Sequence, residues 1–360
     1  MSTILVHAGM PKTGSTSIQT WLRENAAMLR AEHGATVVVD GPSSDGDLVA
    51  APYEHGPWVV SNGFLLHTNH EQQGAADPAR LVELGDAFAD RLVGAADLHG
   101  DIIVTAEAFA HPILEGNEPV LAALQRAAGK HRVRVVLYVR PQHDAVEARW
   151  RQWGYFNAAG LSEFWRSQLP TLSYGPGIEA ATTHAPDVAF EIRPFRRDLL
   201  TDGDVVVDFA RHACGVEGVA PHTLAANPGL SLDLVLLLAG APDDVVRAAD
   251  RDGSGTDWGR RQVTLSSLTA EWDIPVSDQA REVRRAIHAL AYRQFAAQNR
   301  ALAAAQGWAG GEFVPAPEDE VDVTVDDLDR LIEPRIDAST LAIVRSAIRD
   351  LCLAREAAHG

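Results

Sequence analysis

Short apolar runs alternate with longer stretches of helical spacing through about residue 240 of the chain. Ile4, Leu5 and Val6 read as a buried parallel strand, and residues 16–30 carry helical spacing through Ile18, Trp21, Leu22 and Leu29. Gly34 is placed to close that helix, and a second strand is predicted over 36–40. Residues 41–76 lack periodicity and are rich in Gly, Pro, His and Asn, which predicts a long irregular loop. Asp77 and Pro78 form an N-cap and first-turn pair for a helix to about Leu98, weakened by Gly85 and Gly94.

The pattern continues with a strand over 101–106, a helix over 117–128 closed by Gly129, and a strongly apolar strand over 132–139. A helix over 142–155, a strand over 188–192 and a helix over 205–214 before Gly215 follow. Ser231 caps a predicted helix through Ala239, and 278–306 reads as one long helix. Residues 307–327 form a Pro-containing acidic connector, and a last amphipathic helix starts near Ser339. Strands alternating with helices predict an α/β fold, a three-layer parallel sheet flanked by helices on both faces. The expected organisation is an α/β domain over 1–306, with 307–360 as a connector and helical appendage.

The turn between the first strand and the first helix, Gly9-Met10-Pro11-Lys12-Thr13-Gly14-Ser15-Thr16-Ser17, carries the sharpest chemical signal. Backbone N–H groups at a helix N-terminus lack partners and the helix dipole favours negative charge, so such a turn suits an anion. A Walker A loop ends in Gly-Lys-Ser/Thr. Here Lys12 precedes Gly14 by two residues, which argues against a nucleoside triphosphate. The order Lys-Thr-Gly-Ser-Thr-Ser-Ile-Gln over 12–19 resembles the 5′-phosphosulfate loop of bacterial sulfotransferases, which use 3′-phosphoadenosine 5′-phosphosulfate (PAPS).

That resemblance implies a P-loop NTPase-like sulfotransferase fold and assigns expected roles. Lys12, Thr13, Gly14, Ser15, Thr16 and Ser17 would hold the 5′-phosphate, with Lys12 also neutralising the departing oxygen. Arg140, just beyond the apolar strand, would hold the 3′-phosphate. The family pattern has a serine eight residues later, where this chain has Ala148. Arg149, Gln152 or the 254–261 segment with Arg260 and Arg261 are the candidates to substitute. Glu107, at the end of the third strand, is the candidate base for an acceptor hydroxyl. His67 and His70 of the 41–76 loop compete for that role. Their His-x-x-His spacing has no third spaced ligand, so no metal is expected. The segments 192–199 and 203–209, reading Arg-Pro-Phe and Gly-Asp…Asp-Phe, extend the similarity, as does the stretch from Asn227 to Leu236.

Composition narrows the partners. A net charge of −18 disfavours nucleic acid, anionic membranes and densely sulfated polymers. Cys214 and Cys352 are the two cysteines, which fits a reducing compartment. With neither a basic leader nor a long apolar run, a cytoplasmic location without membrane insertion is expected. The expected activity is transfer of the sulfuryl group of PAPS to a hydroxyl of a glycan or small metabolite, releasing 3′-phosphoadenosine 5′-phosphate (PAP). The alternatives are a P-loop kinase acting on a small molecule or sugar, and a catalytically inactive PAP-binding relative, which Ala148 favours.

Overall fold

The computed structural model describes residues 1–38, 78–106, 109–155, 160–221, 230–239, 276–308, 313–319 and 321–359. It is an α/β protein, and among the described residues five strands form one parallel sheet. The strands are β1 (Thr3–Ala8), β2 (Ala35–Val38), β3 (Asp101–Ala106), β4 (Arg132–Val139) and β5 (Ala189–Pro194), in the order β2-β3-β1-β4-β5. β1 is central, with Leu5 beside Ile103 and Arg134, and His7 beside Thr105 and Val136. Burial on both faces explains why β4 reads as a nearly continuous apolar run from Val135 to Val139.

Helices α1 (Ser15–Glu24) and α2 (Ala26–His33) follow β1. The sequence predicts one helix here. The structure breaks it at Asn25, whose backbone N–H and side-chain amide both donate to the Trp21 carbonyl at 2.9 Å. An asparagine side chain competes for backbone groups and so ends a helix readily. On the other side of β2, α3 (Pro78–His99) packs against α5 (Glu118–Ala128), with the short α4 (Ala110–Leu114) between them in sequence. Gly85 is where α3 meets α5: a Cβ there would lie 2.9 Å from the Pro119 carbonyl oxygen.

Two compact units divide the chain, and each is discontinuous. The first comprises Met1–Pro141, Pro170–Leu224 and Ala297–Phe313, and contains the whole sheet. One face of the sheet carries a core of Leu5, Ile18, Trp21, Leu22, Val136, Tyr138 and Phe209. The last of these belongs to α9 (Val205–Cys214), which follows α6 (Gln142–Arg149), α7 (Leu161–Leu172) and α8 (Tyr174–His184) in the chain. Asp204 caps α9 by accepting from Val206 and Val207 N–H at 2.8 and 3.0 Å. At the β5 edge, Ile192 N–H donates to Gln306 Oε1 at 3.1 Å, and Trp308 Nε1 donates to the Ile192 carbonyl at 2.9 Å.

The second unit comprises Gln142–Leu169, Ala225–Ala296 and Val314–Gly360. The predicted helix over 142–155 is α-helical only to Arg149 and then widens into a π-helical segment, Trp150–Gly154. Glu147 of α6 accepts two bonds from Arg284, both at 2.9 Å. Arg284 lies on α11 (Asp278–Ala305), which follows α10 (Leu232–Leu238). Ser231 caps α10 as predicted, accepting from Leu234 N–H. After α12 (Asp327–Ile332), the chain ends in α13 (Ala338–His359), whose Arg345 grips the last carbonyls of α10 at Leu237 and Ala239. No helix among the described residues is long and apolar enough to cross a membrane.

Candidate functional site

Ligands of open parallel sheets bind outside the carboxyl ends of the strands, where the strand order reverses. Here that point lies at β1 and β4, because the chain runs from β1 out to β2, back to β3, and then across β1 to β4. The Lys12 loop leaves β1 and Arg140 leaves β4. The two meet: Arg140 Nη1 donates to the Lys12 carbonyl at 3.1 Å.

The loop is wound around one acceptor. The buried Met10 carbonyl receives the Thr13 N–H at 3.3 Å, the Thr13 hydroxyl at 2.8 Å and the Ser15 hydroxyl at 3.1 Å. Two residues take left-handed backbone conformations, Lys12 at φ 66° and Gly14 at φ 76°. Glycine adopts this freely, whereas a side-chain-bearing residue is strained by about 1–2 kcal/mol. Gly14 is also pressed from outside, since a Cβ there would stand 2.6 Å from Val205 Cγ1 and 3.3 Å from Phe195 Cε2.

Helix α1 then starts without a capping side chain and without an acid in its first turn. α5, α9 and α10 are capped by Asn117, Asp204 and Ser231, whereas α2, α4, α8 and α12 start, like α1, without a side-chain cap. The first-turn N–H groups of α1 at Ser15, Thr16 and Ser17 thus have no intrahelical acceptor and no side-chain cap. Thr16 is exposed and Ser17 half-buried, but the Ser15 hydroxyl is turned inward to Met10. At Ser15 the hydroxyl hydrogen is thus spent on Met10, leaving the backbone N–H as the donor at the helix start, whereas Thr13 spends both its N–H and its hydroxyl on Met10.

Arg140 is half-buried and sits over the Phe195 ring, 5.8 Å from its centroid. Its own carbonyl accepts from the buried Tyr174 hydroxyl at 2.8 Å. Phe195 therefore touches both Gly14 and Arg140. In the Arg-Pro-Phe…Asp-Phe stretch, the other members are structural. Arg193 makes a two-point ion pair with the fully buried Asp208, at 2.5 and 2.8 Å. Asp208 also accepts from Tyr138 at 2.7 Å and from the Thr201 N–H and hydroxyl at 3.0 Å. Burial pushes the Asp208 carboxyl upward, yet these donors outweigh it and hold it below the usual carboxylate range. The Tyr138 phenol is driven well above its usual range by burial and by the Asp208 charge.

His7 is a residue that sequence reasoning missed. It lies on β1, two residues before Gly9, fully buried, with Nδ1 2.7 Å from Thr105 Oγ1. Among the described residues its Nε2 has no hydrogen-bond partner, and its ring meets Phe209 edge-on at 5.1 Å. Burial lowers its pKa to about 3, so it is neutral at physiological pH. The available signal was a histidine within an apolar strand, directly ahead of the loop.

Of the other predicted residues, Arg149 is fully buried in the second unit and donates to Gln168 Oε1 at 2.8 Å. Ala148 precedes it on α6, half-buried. Glu107, His67, His70, Arg260 and Arg261 lie outside the described residues. Among the described residues, no group of three or more His, Cys, Asp or Glu side chains is arranged to hold a metal ion. Compared with known proteins, the chain matches no protein-family model, no curated protein and no solved structure.

Proposed function

We propose that the protein is a sulfotransferase that moves the sulfuryl group of PAPS to a hydroxyl of a glycan or small metabolite. The observation that carries this reading is the uncapped α1 N-terminus, wrapped by the Lys12 turn and touched by Arg140 from the neighbouring strand. Two sources of positive field meet there, a helix end and a guanidinium, and Lys12 in the same turn carries the ammonium that this reading brings to them. The order Lys-Thr-Gly-Ser-Thr supports a phosphosulfate rather than a triphosphate as the anion.

In this reading the acceptor oxygen attacks sulfur in line. The new O–S bond forms as the S–O bond to the 5′-phosphate breaks, and the electron pair leaves with the phosphate as PAP. Lys12 neutralises the charge gathering on that oxygen, and the first-turn N–H groups hold the phosphate. Glu107, or His67 or His70, takes the acceptor proton, a contribution of typically ~10²–10⁴-fold. Arg140 supplies charge for the 3′-phosphate.

Calorimetric titration with PAP, and separately with ATP and Mg²⁺, tests the reading. Micromolar PAP binding that is lost in Lys12→Ala, with ATP inert, is the expected result. ATP binding with PAP silent would replace it with the small-molecule kinase reading. PAP binding without transfer to any acceptor hydroxyl would leave the inactive relative, the reading that Ala148 favours.

A further inference from the structure

The peptide unit joining Lys12 to Thr13 is gripped at both ends. Its carbonyl accepts from Arg140 Nη1 at 3.1 Å, and its N–H donates to the Met10 carbonyl at 3.3 Å. Turning that peptide about its long axis breaks both bonds together. The left-handed Lys12 backbone sits on one side of this peptide, and Thr13, leading to the left-handed Gly14, sits on the other. A side-chain-bearing residue leaves the left-handed region unless its surroundings over-determine it.

Arg140 is itself fixed from two directions. Tyr174 holds its carbonyl at 2.8 Å, and the Phe195 ring lies under its guanidinium at 5.8 Å. The same ring borders Gly14, 3.3 Å from where a Cβ would stand. Phe195 thus braces the loop at Gly14 and braces the arginine that holds the loop at Lys12. Among the described residues no carboxylate is paired with Arg140, and the partners its guanidinium has there are the Lys12 carbonyl and the Phe195 ring.

We propose that Arg140 is a positioning residue for Lys12, locking the Lys12–Thr13 peptide so that the lysine is presented to the anion in a fixed direction. This rests on the reading of the loop as a phosphate cradle, and it adds a role to the charge that Arg140 offers a ligand. A direct ligand contributes independently of Lys12. A positioning residue contributes only while Lys12 is there to be positioned.

Two measurements on the full chain separate these roles. The first needs no ligand: amide hydrogen exchange at Thr13, normalised to Val104 in β3, in wild type, Arg140→Met and Phe195→Leu. The expected result is exchange at least tenfold faster at Thr13 in Arg140→Met and several-fold faster in Phe195→Leu, with Val104 unchanged. The second is a double-mutant cycle of Arg140→Met with Lys12→Gly, read as PAP affinity. Arg140→Met is expected to weaken binding at least tenfold in the Lys12 protein, and several-fold less than that in the Lys12→Gly protein. Unchanged Thr13 exchange overturns the proposal, and so does an equal loss in both backgrounds. Absence of PAP binding by wild type would instead overturn the sulfuryl-donor reading, with the exchange result still deciding the role of Arg140.

Discussion

A buried neutral histidine makes a protein sensitive to acid, and His7 allows the size of that effect to be worked out. In the unfolded chain the imidazole titrates near its ordinary 6.5, and in the folded chain burial lowers this to about 3. Between those values the unfolded chain binds a proton that the folded chain refuses. Stability is therefore complete above the unfolded value and falls by about 1.4 kcal/mol per pH unit as pH drops toward the folded value. From pH 7.5 to 4.5 the loss due to His7 is about 2–3 kcal/mol. His7→Gln removes the titration while leaving an amide to meet Thr105. Urea unfolding followed by tryptophan fluorescence, with Trp21 packed edge-on to the same Phe209 ring that His7 meets, gives stability at each pH. Other acid-sensitive groups, Asp208 among them, are common to both proteins and cancel in the difference. The expected result is that the variant gains about 2–3 kcal/mol relative to wild type on going from pH 7.5 to 4.5. Parallel stability curves would refute the reasoning, and would mean that the imidazole protonates without disturbing the fold.

Three other expectations come from the loop and the network behind it. Gly14→Ala meets both a positive φ and Val205 Cγ1 at 2.6 Å, and should cost about 2–4 kcal/mol in denaturant unfolding. Adding Val205→Ala should restore the steric part alone. Lys12→Gly relieves the left-handed strain, so stability should hold or rise by up to about 1 kcal/mol while PAP affinity falls at least tenfold in calorimetry. Asp208→Asn leaves Arg193 without its charge partner and should lower stability by roughly 3 kcal/mol at neutral pH. That difference should shrink as pH falls below the ordinary aspartate range, where the native carboxylate takes up its proton.

The sheet was legible because parallel strands buried on both faces leave unbroken apolar runs, as at 132–139. The Lys12 loop was legible because its order of residues is local. What escaped the reading is tertiary. α8 contains Gly175, Pro176 and Gly177 and gives no helical signal of its own, yet its Tyr174 reaches the Arg140 carbonyl. The break at Asn25 and the π-helical widening after Arg149 depend on which backbone group a side chain or turn finds, not on periodicity. Phe195 read as part of a motif, but its position between Gly14 and Arg140 required β5 to lie beside β4. The division into discontinuous units could not be seen either, since nothing in composition marks residues 141 or 297 as a crossing.

The cover on β5 bears on how the chain is made. Gln306 and Trp308 satisfy the Ile192 N–H and C=O, and they do so from 114 and 116 residues further along the chain. A ribosome delivers the five strands long before it delivers that cover. Throughout the intervening synthesis, a finished parallel sheet presents Ile192 as a docking point for any extended polypeptide nearby. The interval of greatest vulnerability for this protein thus falls after its sheet is complete, and it closes when the end of the long α11 helix arrives.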